Sequence, residues 1–194
     1  MTSRYDPDFH HRRSVRLRGH DYSTPGTYFV TICTWERRCL LGEIHERHMV
    51  LNEAGTIVDK VWQSTASVRS CVALDEYVVM PNHLHGIIIL IERWLQKDDG
   101  SPGVEEGATQ RAWATHRVAP TGPGSGSIGA IVGQFKSLAT KRVNQFSGTP
   151  GCPLWQRNYF EHLIRSAGEL ERIRNYIRSN PANWHQDEDN PVFL

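Results

Sequence analysis

The chain has 194 residues, 39% hydrophobic and 22% charged, which suits one globular domain able to bury a core without disulfides. The N-terminus MTSRYDPDFHHRR lacks the apolar core of a signal peptide, and the longest apolar run, Ile87 to Ile91, is far short of a bilayer span; a soluble protein that is not secreted is expected. A formal net charge of +1 points neither toward nor away from nucleic acid, and Cys33, Cys39, Cys71 and Cys152 form no CxxC pair, so reduced and mostly buried thiols are expected.

In chain order, residues 1–20 carry five arginines against two aspartates and read as a basic, irregular arm. Tyr28 to Trp35 is rich in β-branched and aromatic residues and follows the turn signal Thr24-Pro25-Gly26, which predicts a strand. Apolar residues at Val50, Leu51, Ala54, Ile57, Val58, Val61 and Trp62 have helical spacing, and the helix is expected to start near Asn52 or a little earlier. Val72 to Met80 and His83 to Ile91 read as strands; separated only by Pro81-Asn82, they must pair antiparallel as a hairpin. Residues 96–126 are rich in Gly, Pro, Ser and Thr without apolar periodicity and predict a flexible insertion. Helical spacing returns over Ser127 to Phe146, a short strand is expected within Leu154 to Ile164, and Ala167 to Asn180 reads as a helix halted by Pro181. The order strand, helix, strand, strand, helix, strand, helix fits an α+β fold, a ferredoxin-like antiparallel sheet with helices packed on it, in a single domain over 1–194.

Charge is unevenly distributed. Residues 126–180 hold Lys136, Lys141, Arg142, Arg157, Arg165, Arg172, Arg174 and Arg178 against three glutamates. With the arginine-rich arm, these form a candidate phosphate-binding face; ordinary solvated helix charges are the alternative.

Two constellations carry chemistry. His83 and His85 are two apart on a strand, so both imidazoles project to one face while Leu84 enters the other, and two neighbouring imidazoles can chelate one divalent ion. One buried and one surface histidine is the competing reading. On the last helix, Tyr176 and Asn180 are four apart and share a face bordering the apolar stripe Leu170, Ile173 and Ile177, with Arg172, Arg174 and Arg178 nearby. A phenol of pKa near 10 needs cations or a metal-polarised phosphate to act as a nucleophile. The alternative is a half-buried packing tyrosine beside a helix-terminating asparagine. Tyr159, polar-flanked and near the basic segment, is the rival nucleophile, and Glu161 and His162 are candidates for acid/base work.

The block Tyr77-Val78-Val79-Met80-Pro81-Asn82-His83-Leu84-His85-Gly86-Ile87-Ile88 resembles the HUH motif of single-tyrosine transposases, closest to the REP-associated branch of this IS200-like family. Pro25 to Thr31, Leu154 to Tyr159 with His162, and Asn175 to Pro181 agree with it in the same order. The resemblance implies an HUH endonuclease fold, a divalent metal (Mg²⁺ or Mn²⁺) on His83, His85 and Asn180, and attack on DNA by Tyr176. It further implies a 5′-phosphotyrosine intermediate, single-stranded or hairpin DNA as partner, and a cytoplasmic, nucleoid-associated setting in a prokaryote as monomer or homodimer. A non-catalytic DNA-structure-binding protein and a hydrolytic metal-dependent nuclease are the rival functions, with a redox or zinc protein using the cysteines behind them.

Overall fold

A computed structural model of the chain describes residues 23–91, 126–187 and 189–190. The basic arm expected over 1–20, and all but the last residue of the insertion expected over 96–126, lie outside the described residues.

Among the described residues, six strands and three α-helices follow in order: β1 (Gly26–Cys33), β2 (Gly42–His45), β3 (His48–Leu51), α1 (Glu53–Val68), β4 (Val72–Val79), β5 (His83–Leu90), α2 (Ile128–Ser147), β6 (Phe160–Ile164) and α3 (Ala167–Ser179). Short 3-10 turns lie at Trp35–Arg37 and Pro181–Gln186. The main sheet runs β4-β5-β1-β6 with every neighbour antiparallel, which is the strand order of the ferredoxin-like pattern. The expected fold class therefore holds, and the tight Pro81-Asn82 connection does join an antiparallel pair.

Alternation along the central strands separates two packed layers. Tyr28, Val30 and Ile32 of β1, with Leu84, Ile88 and Leu90 of β5, point to one face, where Val58, Val61 and Trp62 of α1 and Ile131, Val132, Phe135 and Ala139 of α2 complete the larger core. Phe29, Ile87 and Ile164 point to the other face and pack with Ile177, Ile173 and Leu170 of α3. The sheet is thus covered on both sides, by two helices on one and by α3 on the other.

Local chemistry sets the helix starts. Asn52 Oδ1 accepts from Gly55 N at 2.9 Å, Ser127 Oγ from Ala130 N at 3.3 Å and Ser166 Oγ from Glu169 N at 3.2 Å, so each helix opens on a side-chain cap. Gly86 is required by packing: a Cβ there would lie 2.4 Å from the ring of Trp62, the largest fully buried side chain.

Several expectations are corrected. Val50 and Leu51 belong to β3, not to the helix, which begins at Glu53. The β2–β3 hairpin itself was not foreseen. Its turn, Glu46-Arg47, has both residues at positive φ (47° and 68°) without a glycine, so the usual two-residue hairpin signal is absent. The first strand starts at Gly26 and ends at Cys33, and the short strand is Phe160–Ile164. Pro181 ends α3, yet Asn180 keeps helical dihedrals (φ −57°, ψ −44°), because the chain continues directly into a 3-10 turn with Pro181 at its first position. The cysteines are not mostly buried: Cys33 is, Cys71 is intermediate, and Cys39 and Cys152 are exposed. Among the described residues no helix is long and apolar enough to cross a membrane.

Candidate metal and tyrosine site

The site lies on the α3 side of the sheet, at the start of β5. The alternation that sends Leu84 into the larger core sends His83 and His85 toward α3, where both are buried with ring centroids 4.3 Å apart. Opposite them in the ladder are Cys33 and Thr31 of β1. Thr31 Oγ1 lies 2.8 Å from His85 Nδ1, and Asn82 Oδ1 lies 2.9 Å from His83 Nδ1. With the δ nitrogens protonated against these oxygens, both Nε2 lone pairs are directed away from the strand. His85 Nε2 then faces the Tyr176 hydroxyl at 3.1 Å.

Tyr176 reaches this position from α3. Its ring meets Phe29 edge-on at 6.2 Å, and 46% of the residue remains exposed, so the hydroxyl sits at a buried cluster on a side chain that a macromolecule can reach. One turn later Asn180 is buried, and its Nδ2 donates to Asp187 Oδ2 at 3.0 Å. Asp187 also accepts from Asp189 N at 2.7 Å. Asn82 Nδ2 donates to the Asp189 carbonyl at 2.6 Å and Arg37 pairs with the Asp189 carboxylate, so the segment after α3 is tied to the β4–β5 turn. Trp184 lies over His83, ring centroids 5.9 Å apart.

Both imidazoles are neutral. Burial, and secondarily the charge of Arg37, push His83 down to about 3 against a smaller upward pull from the Asn180 side chain. Burial, then the neighbouring His83, drive His85 well below its ordinary value, with Asp187 opposing. A neutral imidazole is the form that binds metal.

The donor set fits a divalent cation. Among the described residues His83 Nε2 and Asn180 Oδ1 are buried without a hydrogen-bond partner, which costs free energy unless something else satisfies them. One ligand atom each from His83, His85 and Asp187 lies within 4.8 Å of the others. The Tyr176 hydroxyl serves His85 Nε2 and Asn180 Nδ2 serves Asp187, which leaves His83 Nε2 and Asn180 Oδ1 as the two acceptors of the cluster without a donor among the described residues. The structure puts His83 and His85 on one face of β5 and Asn180 at the end of α3, all three buried. Asp187, Thr31, Asn82 and Trp184 were not anticipated; only the two-residue periodicity of β1 could have pointed to Thr31, by pairing it with His85.

Of the candidate phosphate-binding residues, Arg174 and Arg178 are engaged in ion pairs, with Asp75 (2.6 Å) and Glu76 (2.6 Å) of β4. Lys136 donates to the carbonyls of Gln156 and Arg157. Lys141, Arg142, Arg157, Arg165 and Arg172 are exposed, but Lys141 and Arg142 are on α2, across the sheet from α3. The rival Tyr159 packs against the α1/α2 core and donates to Glu161, while His162 pairs with Glu169 at 2.8 Å.

No family model matches the sequence. A protein of Haemophilus influenzae described as uncharacterised is 39% identical over 188 residues, which span 97% of this chain and 98% of that protein. Among solved structures, a REP-associated tyrosine transposase bound to a REP hairpin superposes with a TM-score of 0.50 at 17% identity, over 96% of this chain and 77% of that one. At that identity the likeness is one of fold, and it agrees with the strand order described above. A crystal structure of a Deinococcus radiodurans protein described as a putative transposase gives 0.42 at 18% identity, over 84% of this chain and 96% of that one.

Proposed function

Because the chain belongs to the same family as the uncharacterised Haemophilus influenzae protein, a membership that brings no activity with it, we propose from the site itself that it cleaves and rejoins single-stranded DNA through Tyr176 as an HUH-type, transposase-like strand transferase. One observation carries the reading: the hydroxyl of a half-exposed tyrosine stands 3.1 Å from the Nε2 of a histidine in a buried, cation-ready donor cluster. Hairpin or palindromic DNA is the substrate class we favour. The solved REP-associated transposase that shares the fold was bound to such a hairpin. The whole chain would act as one such domain.

In this reading His83, His85 and Asp187 would hold a divalent metal, with Asn180 offering its partnerless amide oxygen and orienting Asp187. The mixed nitrogen and oxygen set suits Mn²⁺, and Mg²⁺ less closely. When bound, the metal polarises a phosphodiester oxygen and draws off developing charge. The chain's own residues do the rest. Tyr176 Oη attacks phosphorus, a phosphotyrosine ester to the 5′ side forms, the P–O3′ bond breaks, and the 3′-oxygen departs as a hydroxyl by taking up a proton. The phenol proton leaves from the exposed rim. His85 Nε2 cannot serve a proton and a cation at once, so binding of a metal there would release the Tyr176 hydroxyl from His85. Since an ester replaces an ester, a second 3′-hydroxyl can reverse the step without ATP.

Arg172, exposed one turn before Tyr176 on α3, is the nearest candidate to meet DNA phosphates, and Arg165, past the Ile164–Thr27 end of the sheet, would meet the strand farther along the same side. Arg157, Lys141 and Arg142 are outer contacts. Arg174, Arg178 and Lys136 would have to give up internal partners first.

Labelled hairpin DNAs incubated with Mn²⁺ and run on a denaturing gel test the proposal. A protein-linked band is expected that disappears with EDTA and in Tyr176→Phe and persists in Tyr159→Phe. Loss of the band in Tyr159→Phe instead would transfer the nucleophile. Cleavage without a linked band would make water the attacking group, and binding without cleavage would leave a DNA-structure-binding protein.

A further inference from the structure

The pairing of β4 with β5 slips between Leu74 and Tyr77: Leu74 faces Ile88 and Tyr77 faces Gly86, so Asp75 and Glu76 together oppose the single residue Ile87. This is a β-bulge, one extra residue in the edge strand. In a regular strand, neighbours 75 and 76 would point to opposite faces of the sheet. Ile87 points toward α3, and the bulge brings both carboxylates to that side. Asp75 takes Arg174 through both carboxylate oxygens, from Nε at 3.2 Å and from Nη2 at 2.6 Å; Glu76 takes Arg178 from Nε at 3.0 Å and Nη2 at 2.6 Å. Glu171 joins both arginines, at 3.3 Å and 3.6 Å. Single exposed ion pairs contribute little, but paired forks sharing a third carboxylate form a network.

Around α3, at roughly 100° per residue, the apolar stripe of Leu170, Ile173 and Ile177 has two flanks. Arg174, Arg178 and Glu171 lie on one; Tyr176 and Asn180 lie on the other. Apolar packing is non-directional, whereas charge-assisted forks have a fixed geometry. Rolling would lift Tyr176 from His85. The ion pairs on the opposite flank oppose that motion.

Resting on the reading of Tyr176 as nucleophile, we propose that the Asp75-Glu76 bulge is a two-point latch that fixes the rotation of α3, making Asp75 and Glu76 positioning residues for the Tyr176 hydroxyl. Their work is done on the helix, through Arg174 and Arg178, and not on the substrate.

The test uses the full chain with 3-fluorotyrosine at its six tyrosines, the Tyr176 resonance being assigned by its absence in Tyr176→Phe. In Asp75→Asn/Glu76→Gln that resonance should shift toward the position of free fluorotyrosine while those of Tyr28 and Tyr159, away from the bulge, stay. Pairing Asp75→Arg with Arg174→Asp should restore it. In case the double variant does not fold, Glu76→Gln alone and a sodium chloride titration of the wild type to about 1 M, where screening reaches about 3 Å, should move the same resonance. With hairpin oligonucleotides and Mn²⁺, the adduct-forming rate at saturating DNA should fall about ten-fold, half-saturation being unchanged. An unmoved Tyr176 resonance in folded variants and in high salt overturns the latch. So does a variant that alters half-saturation and spares the rate, which would put Arg174 and Arg178 on the DNA. Absence of adduct from the wild type would sink the proposed function alone, because the fluorine signal reads the latch without it.

Discussion

His83 is neutral because it is buried, and burial has a thermodynamic counterpart. Its pKa falls from an ordinary 6.5 to about 3 in the fold, so below pH 6.5 the unfolded chain takes up a proton that the folded chain refuses. The contribution is present above pH 6.5 and is lost as pH falls toward 3, at up to about 1.4 kcal/mol per pH unit. Metal-free protein is therefore expected to melt progressively lower on acidification from pH 6.5 to pH 4, and His83→Gln to show a shallower slope over that window; parallel slopes in differential scanning calorimetry would count against it. Asp187 makes a separate prediction: Asp187→Asn should weaken Mn²⁺ binding in titration calorimetry by about 10–100-fold, with Asn180→Ala costing less. Much of this site was readable in the sequence, since strand alternation aims both histidines one way and helical spacing puts Tyr176 and Asn180 on one flank. Asp187 was not, because its place depends on a 3-10 turn folding back from Asn180 and on Asn82 and Arg37 anchoring Asp189. No local pattern announces contacts 107 and 152 residues apart.

Strand β5 serves two layers at once. Leu84, Ile88 and Leu90 hold the larger core, His83 and His85 the site, and a slip of one residue would drive both imidazoles into apolar packing. The register is therefore specified by composition on both faces. Gly86 ties β5 to α1, as its missing Cβ is the space into which Trp62 fits. Gly86→Ala is expected to destabilise by about 1–3 kcal/mol through overpacking, and Trp62→Ala by about 3–5 kcal/mol, each measured by urea unfolding; a neutral Gly86→Ala would mean that Trp62 can shift freely. The long elements were legible because their periods are strong and their caps, Asn52, Ser127 and Ser166, are ordinary ones. The β2–β3 hairpin was not. Its strands are four residues each, and Glu46-Arg47 adopt left-handed geometry without the residues that normally advertise it.

At the scale of the molecule, the exposed cations Arg165, Arg172, Lys141 and Arg142 among the described residues are divided between the two sides of the sheet. If DNA lies along the α3 side, Arg165→Ala and Arg172→Ala should each reduce the slope of log affinity against log salt by about 0.7, as expected for single strands. Lys141→Ala and Arg142→Ala on α2 should change it less. Fluorescence anisotropy over a salt series reads all four, and equal effects would mean that the strand wraps both faces. Bound Mn²⁺ should raise the melting temperature, since a ligand at 100 times its dissociation constant adds about 2.7 kcal/mol.

The unequal size of the two packed layers has a kinetic corollary. The α1/α2 side joins some twenty buried residues into one cluster, whereas α3 rests through Ile177 on Phe29, Ile87 and Ile164, with a few partly buried neighbours. Detaching α3 gives up only the smaller set. Its backbone amides should therefore exchange with deuterium through a sub-global opening of lower free energy than that of β1 and β5, with weaker denaturant dependence. The helix that carries Tyr176 would form a foldon of its own, able to leave and re-dock while the sheet stays folded.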